Sequence, residues 1–211
     1  MKHNSSVVHL QGLYTVLVGL ALTEAITTLI DSKTDPPIHF EFIPYFLAYL
    51  VTLVPIAHGA LRHLDVAYLE NSSETPRRGA LMVDWSLLFV EGCGLLVLAL
   101  FIRHPETFLY IFTGLLAFDA LWAFIAYLAF SPDREKWTTE AKWAAINFVA
   151  AFFLVIVVIV LDAFSRHNPI SLYRWAIVLL VAFGRTVWDY TWCWPHYFPG
   201  DPSSHPPQQK T

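Results

Sequence analysis

The sequence predicts an all-α polytopic integral membrane protein, a six-helix transmembrane bundle, on three observations. Of 211 residues, 56% are hydrophobic and only 14% charged, whereas a water-soluble domain commonly has about a quarter of its residues charged. Apolar runs of roughly 20 residues recur along the chain, the length a helix needs to cross a hydrocarbon core of ~30 Å. Short polar segments containing proline separate these runs. The net charge of −4 leaves no basic footprint for nucleic acid. Cys93 and Cys193 are too far apart to read as a metal pair or a disulfide framework.

Six runs qualify, at about 7–30, 42–64, 81–102, 107–130, 143–163 and 170–190. The first is too long for a signal-peptide core and lacks a basic leader, so it is read as a helix. Asp35-Pro36-Pro37 ends it, Asn71–Pro76 divides the second from the third, and Ser131-Pro132-Asp133 follows the fourth. His104-Pro105-Glu106 and His167-Asn168-Pro169 are tight connections that make spans three–four and five–six antiparallel hairpins. The domain reading is one transmembrane unit over 1–194 and a Pro-rich, extended cytoplasmic tail over 195–211. No internal repeat is evident. The sequons at Asn4 and Asn71 fall on the expected cytoplasmic side and are read as accidental.

Lysine and arginine in short loops set the orientation. Lys2, Arg77, Arg78, Arg134, Lys136, Lys142 and Lys210 fall on one side, against Lys33, Arg103, Arg166 and Arg174 on the other. This bias puts both termini in the cytoplasm, at the cell membrane. Trp85, Trp137, Trp143, Trp188, Trp192 and Trp194 then lie near the inner headgroups and Trp175 near the outer.

Ionisable groups inside spans are costly and normally face protein or water with a partner. Here they are numerous: His58, Arg62 and Asp65 in span two, Asp84 and Glu91 in span three, Asp119 in span four, and Arg185 and Asp189 in span six, with Asn147 in span five. Glu24 and Asp162 lie near outer ends and read as solvated. His58, Arg62 and Asp65 follow i, i+4, i+7 spacing and form one stripe, whereas His63 points away and reads as interfacial. The expected assembly gathers spans two, three, four and six around an acidic interior opening to the cytoplasm. In it, Arg62 and Arg185 pair with Asp65, Asp84 or Asp189. Glu91 and Asp119 sit nearest the midplane, far from water, and are candidates to hold a proton.

Three function classes follow. The leading one is a pathway or cavity for a small solute, a cation or protons, using His58, Arg62, Asp65, Asp84, Glu91, Asp119, Asn147, Arg185 and Asp189. The second is a membrane-embedded subunit, sensor or effector whose buried ion pairs specify assembly, alone or as a homo-oligomer. The third is an inner-leaflet enzyme with a metal held among His58, Asp65, Asp84 and Asp189, since mixed His/carboxylate sets suit zinc. His58 and His63 do not help it, being about 140° apart around a helix. No span holds a lysine for a retinal Schiff base, haem would need facing histidines at one depth, and no phosphate loop or nucleophile elbow occurs. The sequence therefore names no cofactor, and its one certain partner class is the lipid bilayer. The small-residue segment Glu91–Gly94 allows close helix contact in any class.

Overall fold

The structure, a computed structural model, describes residues 2–30, 37–70, 78–130, 138–165 and 171–200. Among them the chain forms six α-helices: α1 (Lys2–Leu29), α2 (Ile43–Leu64), α3 (Arg78–Leu100), α4 (Pro105–Phe130), α5 (Thr139–Ser165) and α6 (Ser171–Tyr197). A short 3-10 turn (Phe40–Phe42) leads into α2, and a π-helical stretch (Asp65–Glu70) continues it. Pro44 and Pro105 sit in the first turns of α2 and α4, where a proline loses no helical hydrogen bond. The Ile30–Ile38 bridge ties the end of α1 to the approach of α2. The breaks expected at 71–76, 131–133 and 167–169, together with 201–211, lie outside the described residues, as do most of the basic residues used for orientation.

Among the described residues, five helical stretches are long and apolar enough to cross a membrane: Ser5–Leu29, Phe40–Glu70, Leu81–Leu100, Pro105–Leu128 and Thr139–Val160. Helix α6 has 27 residues, about 40 Å, but carries Arg174, Arg185 and Asp189. Its end departs from expectation, since it continues through Pro195 to Tyr197. Two side chains hold the carbonyls of that last stretch: Arg62 Nε donates to His196 O at 2.9 Å and Lys142 Nζ to Trp192 O at 3.1 Å. Cations at a helix C-terminus satisfy carbonyls the helix itself leaves unbonded.

The helices close into a ring in the order α1, α2, α6, α5, α4, α3. Consecutive helices alternate in direction. The proximal end is therefore where α1 begins and α6 finishes, and the distal end is opposite. The distal half of the interior is apolar, packed from Tyr49, Leu53, Leu95, Leu98, Phe112, Leu116 and Leu154, each at most 4% exposed. The surface is apolar as well: Val16, Phe148, Ile159 and Leu180 are between 61% and 70% exposed. So much exposed hydrocarbon around every side is what a lipid-facing bundle presents. The small residues of Glu91–Gly94 do bring helices close. A Cβ at Gly92 would stand 2.5 Å from Leu17 Cδ2 of α1, and one at Gly94 would stand 2.9 Å from Leu115 Cδ1 of α4.

Proline 55 lies inside α2 and has no N–H for the carbonyl of Val51, four residues back. The hydroxyl of Thr186 on α6 donates to that carbonyl at 2.8 Å, which both repairs α2 and joins it to α6. Thr186→Val is expected to lower stability by about 1 kcal/mol in a detergent unfolding assay. In a Pro55→Ala background the loss shrinks, because the restored N–H takes over Val51 O. An equal loss in both backgrounds would refute this account.

Candidate functional site

The buried ionisable groups among the described residues lie between the middle and the proximal end of the ring. Their core is Arg185, near the middle of α6. Its Nε donates to Asn147 Oδ1 of α5 at 2.8 Å, its Nη2 lies 3.5 Å from Asp119 Oδ2 of α4, and its Nη1 lies 3.6 Å from Asp189 Oδ2 one turn on. Asn147 Nδ2 donates in turn to Asp119 Oδ2 at 2.5 Å, so one amide joins base to acid. The carboxyl of Glu91 of α3 is a close neighbour of Asp119, near enough for each to bear on the other's charge. The Tyr14 hydroxyl of α1 donates to Glu91 Oε2 at 3.3 Å. At the proximal end Asp189 accepts from Trp143 Nε1 at 3.0 Å and from the Tyr197 hydroxyl at 3.1 and 3.0 Å on its two oxygens. A continuous polar chain thus runs Tyr14, Glu91, Asp119, Arg185, Asp189, Tyr197 through α1, α3, α4 and α6, with α5 bracing it through Asn147 and Trp143.

The sequence-derived stripe His58, Arg62, Asp65 does not face this chain as one wall. His58 is half-buried at the proximal mouth, with Nδ1 3.2 Å from the Tyr190 hydroxyl and its ring 4.7 Å from that of Tyr197. Arg62 does not pair with Asp65, Asp84 or Asp189. It grips Glu70 with both terminal nitrogens (Nη2 to Oε2, 3.0 Å), because the π-helical stretch carries Glu70 back beside it. Asp65 turns to α1 and accepts from Gln11 Nε2 at 2.8 Å. His63, expected at the interface, is 2% exposed. Its Nε2 is 3.2 Å from Asp84 Oδ2 and its Nδ1 3.8 Å from Glu140 Oε1, with Tyr68 donating to Asp84 at 2.6 Å. This second cluster crosses α2, α3 and α5, and the Trp122 ring of α4 meets the His63 ring edge-on at 5.3 Å.

The metal reading loses its geometry in this arrangement. His58, Asp65, Asp84 and Asp189 each engage different partners. Among the described residues, no group of three His, Cys, Asp or Glu side chains could hold a metal ion. Beside Asp119, Arg185 and Asp189 the acidic interior expected from sequence narrows to a small cavity. The cavity beside Asp119, Arg185 and Asp189, walled by Gly59, Ala60, Trp122, Trp143 and Tyr197, measures about 10 Å³. That is room for about one water, not for a solute.

Sequence reasoning missed Tyr14, His63, Tyr68, Glu140 and Tyr197, and read Trp143 as a headgroup anchor although it is 5% exposed and donates inward. The tyrosines and tryptophan gave no charge signal. Glu140 stood outside the expected fifth span. No family model, curated protein or solved structure matches the chain, so the reading of this site stands on its geometry.

Proposed function

We propose that the chain is a six-span membrane protein with both termini cytoplasmic, and that it binds protons at the buried Glu91–Asp119 pair. The cytoplasmic orientation is the one the loop charges favour, and it makes the proximal end the inner one. The carrying observation is the burial of two carboxyls side by side at the head of the polar chain, Glu91 2% and Asp119 6% exposed, each in a network of named donors. Two buried carboxylates this close repel, which favours a proton on one of them. Asp119 already accepts from Asn147 and faces Arg185, which suits it to the charge. Glu91, which accepts from the Tyr14 hydroxyl and faces no cation among the described ion pairs, is the member suited to take the proton.

Protons fit better than the other cargoes expected of an acidic interior. The cavity beside Asp119, Arg185 and Asp189 has room for about one water, and the carboxylates are occupied by N–H and O–H donors rather than left open as a cation's oxygen cage. The apolar distal half gives the chain no exit there, so the site is one reached from the proximal side.

The test is infrared titration of the carboxyl C=O stretch in wild type, Glu91→Gln and Asp119→Asn. A protonated-carboxyl band in wild type, lost in Glu91→Gln and shifted in Asp119→Asn, is expected. Spectra identical in all three overturn the proposal. Proton flux in proteoliposomes, lowered by both variants, would extend binding to transport. A second reading, a membrane-embedded subunit or effector whose charges specify assembly, draws on the pairing of Arg62, His63 and Arg185 with named acids. It predicts that both carboxyl variants leave the spectra unchanged and alter only stability.

A further inference from the structure

Two buried N–H groups in the polar core have no hydrogen-bond partner: Trp122 Nε1 and Arg185 Nη1. Their residues are only 5% and 4% exposed, and an unpaired buried donor costs about 1–3 kcal/mol. Both residues line the same cavity of about 10 Å³, together with Asp119 and Asp189. Each of these carboxylates keeps acceptor capacity beyond the donors already named, since two oxygens offer about four lone-pair sites.

We propose that this cavity is a binding site for a single water molecule that accepts from Trp122 Nε1 and Arg185 Nη1 and donates to Asp119 and Asp189. The lining chemistry selects the occupant. An anion would be repelled by Asp119 and Asp189, and a metal cation would face an indole N–H and a guanidinium. A neutral molecule with two donors and two acceptors answers all four groups at once, and the volume admits nothing larger than water. Bridging matters because Asp119 and Asp189 lie on different helices, joined otherwise through Arg185. A guanidinium is no proton carrier, since it does not deprotonate in proteins. The water supplies the missing link, so that a proton can pass Asp189, water, Asp119, Glu91. The presence of the water rests on the geometry alone, whereas its place in a proton path rests on the function proposed above.

Gly59 provides the test. A Cβ there would lie 3.3 Å from the Tyr197 hydroxyl and 3.4 Å from Trp143 Cζ2, so those neighbours give by a few tenths of an ångström, and the added methyl narrows the cavity that Gly59 lines. The readout is the indole ¹⁵N–¹H resonance of Trp122 in the full-length protein, assigned by its loss in Trp122→Phe. Wild type is expected to give a cross-peak from this proton to bound water, and Gly59→Ala to lose it. Ala60→Val, at another wall of the cavity, serves as the second variant if Gly59→Ala does not fold. A wild type without the cross-peak, or a cross-peak that survives the filled cavity, overturns the water site. Wild-type cross-peak present and lost on filling, with carboxyl titration at Glu91 unaltered, supports the site and overturns its role in the proton path.

Discussion

Arg185→Met is expected to destabilise the folded protein by about 3–5 kcal/mol, the cost of removing one partner from a buried ion pair. The guanidinium and the two carboxylates it serves are 2%, 8% and 1% exposed at their side chains, so bulk solvent does not compensate its loss. Asn147 loses the donor to its Oδ1 in the same step. Arg185→Lys recovers only part of the loss, because one ammonium cannot reproduce a fork that addresses Asn147, Asp119 and Asp189 in three directions. Arg185→Met combined with Asp119→Asn is milder than Arg185→Met alone, since one uncompensated acid is gone. Denaturant unfolding in a fixed detergent compares all three. An Arg185→Met protein within about 0.5 kcal/mol of wild type, the range of an ordinary surface substitution, would mean that the base does not hold this core together.

Much of this core was legible because mid-span charge leaves so few choices. Glu91, Asp119 and Arg185 had to find partners inside the bundle, and hydropathy alone located the helices that carry Glu91 and Asp119. The proximal faces of α2 were not legible in the same way. Spacing puts His58 and His63 on different sides of the helix, and assigning one polar face to α2 made His63 a bystander. That rule fails for a helix with neighbours on several sides: α2 meets α6 through His58 and Tyr190, α3 through His63 and Asp84, and α1 through Asp65 and Gln11. The π-helical stretch adds a turn no periodicity foretells and gives Arg62 its acid in Glu70. Aromatic hydroxyls and indoles were illegible for another reason. A tyrosine in a membrane helix reads equally as a headgroup anchor or as core, and only the packed neighbours of Tyr14, Tyr68 and Tyr197 make them donors to carboxylates.

His63→Leu is the second large effect, an expected loss of about 3–5 kcal/mol, and it separates a structural cluster from a working one. The imidazole lies between Asp84 and Glu140 with side chains 3%, 5% and 19% exposed, so leucine strands at least one acid in the interior. Removing the partners as well, in His63→Leu/Asp84→Leu/Tyr68→Phe, should return most of the stability, because a complete buried pair exchanged for apolar packing of similar volume is often neutral or favourable. Glu140, the most exposed of the three, can turn to solvent. If this triple variant keeps the Glu91 carboxyl titration, the His63 cluster is an anchor of α2 to α3, and leucine serves as well. The same exchange around Arg185 cannot be neutral to function on the proton-binding reading, since it removes Asp119, the carboxyl beside Glu91. A triple variant that regains stability but loses the Glu91 titration would instead join the two clusters through Trp122, which touches His63 and lines the cavity beside Asp119.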